Sequence, residues 1–349
     1  MSDRILAEDF LPRSELVSPQ HPVSWAKFPV IDAHNHLTAL NSLDLVRPPA
    51  DMVREMDFLN VRAIADLDGC SGDLLKHKLE QLDFAYPGRF YTLCNVDWNG
   101  VGTPGFAERA TTALAQDVAA GARGLKVFKT LGLRVRDQAG KLVMPDDPRI
   151  ADVWEQAGEL GVPVLIHTAD PTAFFKPLDR FNERWDELHA HPDWHFYGPA
   201  FPRFEELIDA LYHLVEAHPR TNFQLAHVGC YPENLGFVGE MLAKYPNMYT
   251  DISERLGELG RQPYSARELI LRFPDRILFG TDVRPSVPWY QTYFRGLESR
   301  DEYFDYGPGE GQPRQGRWKI YGLHLPDDVL QKVYFDNAAR LYKLPSGQA

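Results

Sequence analysis

Eight short apolar runs alternate with amphipathic segments along most of the chain, and this alternation constrains the fold more than any other feature. The runs are FPVIDAH (28–34), VRAIADL (61–67), RFYTLCNV (89–96), ARGLKVF (122–128), VPVLIHT (162–168), NFQLAHV (222–228), NMYTDIS (247–253) and RILFGTD (276–282). Short runs rich in β-branched and aromatic residues read as buried strands. Between them, segments such as FAERATTALAQDVAAGARG and RFEELIDALYHLVEAHP carry apolar residues at helical spacing and stop at Gly or Pro. Strand-to-strand intervals, mostly of about 25 to 40 residues, match one βα unit. Strands alternating with helices make a parallel sheet, and eight units can close it into a (β/α)8 TIM barrel. An open doubly wound sheet is the alternative, but it needs fewer strands and usually a glycine fingerprint after the first.

The whole chain, 1–349, reads as one domain: a lead-in over 1–27 and a barrel over 28–345. Two stretches exceed the repeat, at about 169–202 and 283–325, after the fifth and eighth runs. Both are aromatic, and both fall on the C-terminal rim, where barrel loops carry function. They also suit a subunit interface, so a homo-oligomer is a possible assembly. With 37 Lys and Arg against 49 Asp and Glu, the net charge is −12. That argues against a nucleic-acid partner, since no basic patch or P-loop accompanies it. Three widely spaced cysteines with no CxxC pair suggest neither a disulfide framework nor a cysteine zinc site. No basic n-region precedes an apolar core, and no apolar stretch approaches the ~20 residues of a membrane span. The expectation is a soluble, cytoplasmic protein with no membrane partner.

The chemistry collects at strand ends. His34 and His36 close the first run, His167 the fifth, His227 the sixth and Asp282 the eighth. Side chains two apart on a strand share a face, so alternation turns both first-run imidazoles inward and Asn35 away. Taken singly, each histidine is more often a hydrogen-bonded core residue than a ligand, and Asp282 could cap the next helix. Five such groups at equivalent strand ends are a different matter, because a barrel brings those ends to one pocket. Histidines elsewhere lack this placement; His213 and His218 lie on a helix and are expected to face solvent.

In order and spacing, IDAHNH, VLIHT, LAHVG and FGTD resemble the strand signatures of the amidohydrolase superfamily, in the branch called amidohydrolase 2. The resemblance runs over about residues 28–345. It implies a divalent metal, zinc first with manganese or iron as options, held by His34, His36, His167 and Asp282. His227 then activates water or binds a second ion, and Asp282 also moves the proton. In binuclear relatives a strand-4 lysine is carbamylated and bridges two metals; Lys126 holds the matching register. One ion is the favoured count, with Lys126 then contacting a small-molecule substrate. Arg255, Arg284 and Trp98 are further substrate-binding candidates, since a rim arginine can grip a carboxylate bidentately. The equal alternative for the arginines is a structural salt bridge.

The leading functional expectation is a metal-dependent hydrolase of an amide, lactone or ester of a small organic acid. A non-oxidative decarboxylase of an aromatic or unsaturated acid is the alternative enzyme, and an inactive barrel used as a binding protein is the alternative outside enzymes. The acidic-aromatic run DEYFDY (301–306) has no role in this reading.

Overall fold

The computed structural model describes residues 5–6, 9–10, 12–38, 44–308 and 315–344. Parts of the expected lead-in (1–4, 7–8 and 11) and of the second insertion (309–314) lie outside the described residues. The strands are β1 (Val30–Asp32), β2 (Val61–Asp66), β3 (Phe90–Thr92), β4 (Cys94–Asn95) and β5 (Leu125–Val127). They continue with β6 (Val164–Ile166), β7 (Phe223–Leu225), β8 (Met248–Asp251) and β9 (Ile277–Leu278), and all pairings are parallel.

Each expected run contains a strand, but the third is divided. Its first half pairs with β2 and its second with β5, so the ladder falls into sheets of three and six strands. The chain bridges the gap with main-chain bonds: Leu93 donates to Asp66 (2.9 Å) and Cys94 to Gly124 (2.9 Å). Across the other seam, Ala33 donates to Phe279 (2.9 Å) and Asp282 to His34 (2.8 Å). The fold is therefore a closed (β/α)8 barrel, with eight positions in the ring.

Register shows which side chains face the axis. Asn95, Lys126, Leu165, Gln224 and Tyr249 are successive partners across β4 to β8 and share the inner face. The barrel interior packs Ile31, Ala33, Leu93, Leu165 and Leu278 with Ala338, Leu341 and Tyr342. These last three come from the helix Asn337–Leu341 and its cap, which closes the end where the strands begin. There Asn337 donates to Pro274 and Ile277 (both 2.8 Å), and Arg340 to Asp275 (2.7 Å). The outer faces pack on the surrounding helices. Phe204–Ala217, for example, buries Leu207, Leu211, Leu214 and Val215, each burial contributing about 1.5–3 kcal/mol. His213 is exposed as expected, but His218 is buried: it follows the last helical residue and bonds Glu155 (2.7 Å).

The insertions are fastened to each other. Buried Arg184 bonds Glu187 (2.7 Å) and Glu258, and its guanidinium stands 5.3 Å from the Trp318 ring. DEYFDY acquires a structural role, because Asp301 accepts from Arg295 (2.7 Å) and from the His21 main chain (2.7 Å). That run thus ties the lead-in to the rim. Among the described residues, no helix is long and apolar enough to cross a membrane.

Candidate metal centre

Simple alternation does not aim the imidazoles. Ile31 and Ala33 face the interior, so an unbroken strand would send His34 outward beside Asp32, whose carboxylate meets Tyr290 Oη (2.8 Å) in the helical layer. Instead β1 ends at Asp32 and the chain bends at His34. Asn35 turns away to bond Asp32 and Thr281 (both 2.9 Å). Likewise Ala226 faces inward, and left-handed backbone at His227 (φ 58°) and Val228 (φ 59°) swings the next imidazole over the barrel. Asp282 (φ 52°) and Glu254 (φ 51°) share that conformation. It is uncommon for non-glycine residues, costs about 1–3 kcal/mol each, and tends to gather at functional sites.

Hydrogen bonds determine where the ring protons lie. His227 Nδ1 is 2.8 Å from the Ser253 carbonyl, which only accepts, so Nδ1 carries the proton and Nε2 is bare. His34 Nδ1 donates to Asp251 (3.0 Å) and His36 Nδ1 to Asp68 (2.6 Å), again leaving Nε2 for the site. Those three Nε2 atoms lie 3.6, 3.5 and 3.6 Å from the Asp282 carboxylate, in the order His34, His36, His227. Such spacings are too long for hydrogen bonds, yet close to the ~3.4 Å ligand–ligand edge of a tetrahedral ion with bonds near 2.1 Å. Among the described residues, buried His34 Nε2 has no hydrogen-bond partner. One ligand atom each from His34, His227 and Asp282 fits within 4.8 Å of the others. An orphaned nitrogen, bare imidazoles and a carboxylate form a donor set that fits a divalent metal.

Electrostatics agree. Burial pushes the Asp282 carboxyl up, but His34, His36, Lys126 and His167 together hold it below the usual range. Burial likewise opposes the Asp251 carboxylate, while His34, Ser253 and Gln224 keep it well below that range. His227 is driven well below ordinary imidazole by burial first, with His167, Arg255 and His34 adding to it, so it stays neutral. For His36, burial weighs against the charged form, but Asp68 outweighs it and the pKa rises. A metal at its Nε2 would compete with that proton.

His167 sits ring to ring with His227 (4.3 Å), and its Nε2 lies 3.2 Å from Asp170, which Lys129 binds in turn (2.5 Å). Among the described residues its Nδ1 makes no hydrogen bond; burial brings its pKa down to about 4. Lys126 Nζ is buried and, among the described residues, has no hydrogen-bond partner; it lies 5.3 Å from the Phe128 ring, and burial lowers its pKa to about 8. A cavity of about 310 Å³ opens above, lined by His167, His227 and Asp282 with Phe174, Trp194 and Arg255. Arg255 is buried; Nη1 donates to the Glu254 carbonyl (2.7 Å), and among the described residues Nε has no hydrogen-bond partner. Two expected substrate residues are not among those lining this cavity: Trp98 packs on Trp154 in the outer core (5.6 Å), and Arg284 is exposed. Sequence reasoning missed Asp68, Asp170, Asp251 and Ser253, which hold the imidazoles from behind, and also Lys129 and Phe174. The only local signals were the polar endings of LD, HTAD and TDIS.

A closed parallel barrel with imidazoles and a carboxylate gathered at its C-terminal rim defines the TIM-barrel class, with a candidate metal site at the rim. The chain belongs to the amidohydrolase family, whose model matches residues 31–344. It is similar in fold to a 2,6-dihydroxybenzoate decarboxylase from Rhizobium (18% identity, TM-score 0.57, covering 91% of this chain and 99% of that one). A dihydroxybenzoic acid decarboxylase from Polaromonas sp. JS666, with bound manganese and 2-nitroresorcinol, is also similar (17%, 0.58, 92% and 98%). So is a probable 2-pyrone-4,6-dicarboxylic acid hydrolase from Acinetobacter baumannii (11%, 0.52, 90% and 100%). No curated protein matches the chain in sequence.

Proposed function

We propose that the protein is a metal-dependent hydrolase that cleaves an amide, lactone or ester bond of a small organic acid. The observation that carries this reading is the convergence of the His34, His36 and His227 Nε2 atoms on Asp282, with His34 Nε2 buried and, among the described residues, without a hydrogen-bond partner. His34, His36, His167 and Asp282 would hold one divalent ion, zinc or manganese. Each of these histidines has a carboxylate behind it, namely Asp251, Asp68 and Asp170, and such backing raises a ligand's basicity. His227 Nδ1 meets the carbonyl (2.8 Å) and hydroxyl (3.0 Å) of Ser253 and, among the described residues, no carboxylate. A bound ion supplies Lewis-acid chemistry and lowers the pKa of water toward ~7.

The chain's own groups divide the remaining work. Asp282, ionised at neutral pH, accepts a proton from the attacking water and passes it to the leaving group. Neutral His227 orients the reacting group through Nε2. Arg255 offers an unpaired Nε to a substrate carboxylate. Lys126 contacts the acid group; if carbamylated, it would instead bridge a second ion. His167→Ala should lose the metal, whereas His227→Ala should keep it and lose turnover.

A second reading, non-oxidative decarboxylation, is supported by the flat Phe174 and Trp194 side chains beside Arg255, a lining that suits a planar aromatic acid. Incubation of the metal-loaded enzyme with aromatic acids and with their esters and lactones in ¹⁸O-labelled water separates the two. Label in the product acid supports hydrolysis, and CO2 release without label supports decarboxylation. Neither product from a metal-loaded sample across both panels would contradict both enzyme readings.

A further inference from the structure

Among the inner-face residues Asn95, Lys126, Leu165, Gln224 and Tyr249, the fully buried polar side chain that the proposed chemistry does not use is Gln224. Gln224 lies in the middle of β7, fully buried, three residues before His227. Its Nε2 is 2.7 Å from Asp251 Oδ2 and 3.2 Å from the Ala33 carbonyl. Both partners only accept, so the NH2 must point there, and Oε1 must point the other way. Oε1 lies 2.6 Å from Tyr342 Oη, so that hydroxyl donates. The donor in every step of a chain is then fixed. Tyr342 donates to Gln224, Gln224 donates to Asp251, and His34 donates from Nδ1 to the same Asp251 oxygen (3.0 Å). The chain starts at the helix cap that closes one end of the barrel and finishes at the first strand-end imidazole of the other.

Asp251 alone would not fix the His34 tautomer. Ser253 Oγ stands 3.0 Å from the same His34 Nδ1 and 2.5 Å from Asp251 Oδ1. In the present arrangement Asp251 takes the serine proton on Oδ1 and the imidazole proton on Oδ2. If the carboxylate turned away, the serine hydroxyl could donate to Nδ1, the ring proton would move to Nε2, and the nitrogen facing the site would be closed. The geometry points to Gln224, anchored by Tyr342, as a positioning residue. It pins Asp251 so that His34 keeps its proton on Nδ1 and presents Nε2 to the metal. This rests on the metal reading above, but the tautomer itself can be read without metal.

The test compares wild type, Gln224→Met and Tyr342→Phe, prepared metal-free. His34 is followed by long-range ¹H–¹⁵N spectra, manganese affinity by calorimetry, and fold by thermal melting of the metal-free form. Wild type is expected to show a single His34 tautomer protonated at Nδ1. Gln224→Met should mix the two tautomers and weaken manganese binding by about 10- to 100-fold, the usual cost of losing such outer support. Tyr342→Phe, the milder change should the first not fold, should weaken it by about 3- to 10-fold in the same direction. Lower melting temperatures with an unchanged His34 tautomer and unchanged manganese affinity would mean that Gln224 only fills the core, and the proposal is overturned. If wild type binds no manganese, the metal reading fails by itself; the His34 tautomer in the variants still upholds or overturns the positioning role.

Discussion

At the scale of single residues, charge and proton position carry most of the account. Asp282→Asn keeps the volume and most contacts but cannot accept a proton. Turnover should fall by about 10²- to 10⁴-fold, with the melting temperature within a few degrees of wild type; steady-state kinetics and calorimetry check both. A second carboxyl, away from the site, shows the opposite sign of shift. Burial raises Asp83 from 3.8 to about 6, although Thr92 donates to it from both main chain and hydroxyl. Because the folded pKa lies above the unfolded one, the folded state holds the proton more tightly. Its contribution is complete below 3.8 and is lost as pH rises through about 6. Urea unfolding of wild type and Asp83→Asn should differ in slope across that window, the variant lacking a loss of roughly 1–3 kcal/mol. The five metal-competent groups were legible because each ends an apolar run. The carboxylates behind them were not, since Asp251 reaches His34 across 217 positions of sequence.

At the scale of elements, the strands were readable by composition, and the closures between them were not. The third run divides because its halves pair with different neighbours, and pairing depends on the whole ring rather than on local residues. The aim of His34 and His227 was also hidden. Alternation accounts for inner-face residues such as Lys126 and Gln224, but it fails where the chain leaves the strand or turns left-handed. The junction of β9 and β1 is correspondingly tight. A Cβ on Gly280 would come within 2.8 Å of His34 Cβ and 3.4 Å of Ser253 Cβ. Gly280→Ala should therefore push His34 aside, weakening metal binding by about tenfold while costing about 1–3 kcal/mol of stability. Metal titration together with urea unfolding checks this, and unchanged affinity would show that the seam yields without moving the imidazole.

At the scale of the whole molecule, the proposed metal would link binding to folding, because its proposed ligands follow β1, β6 and β9 and meet only in the closed barrel. A ligand that binds only the folded state stabilises it by about 2.7 kcal/mol at a hundred times its dissociation constant. For a chain of 349 residues that corresponds to a rise in melting temperature of about 2–4 °C. Chelation should lower the transition by this amount, and manganese or zinc should restore it. The barrel was legible as a whole from eight repeated units. The mutual fastening of the insertions through Arg184, Glu258 and Trp318 was not, since none of these contacts is local. The most direct measurement is anomalous diffraction at the zinc and manganese edges from crystals of the metal-loaded protein. The account predicts one peak at the rim, bonded to His34, His36, His167 and Asp282. No peak at full metal loading, or one bound away from these residues, would contradict it.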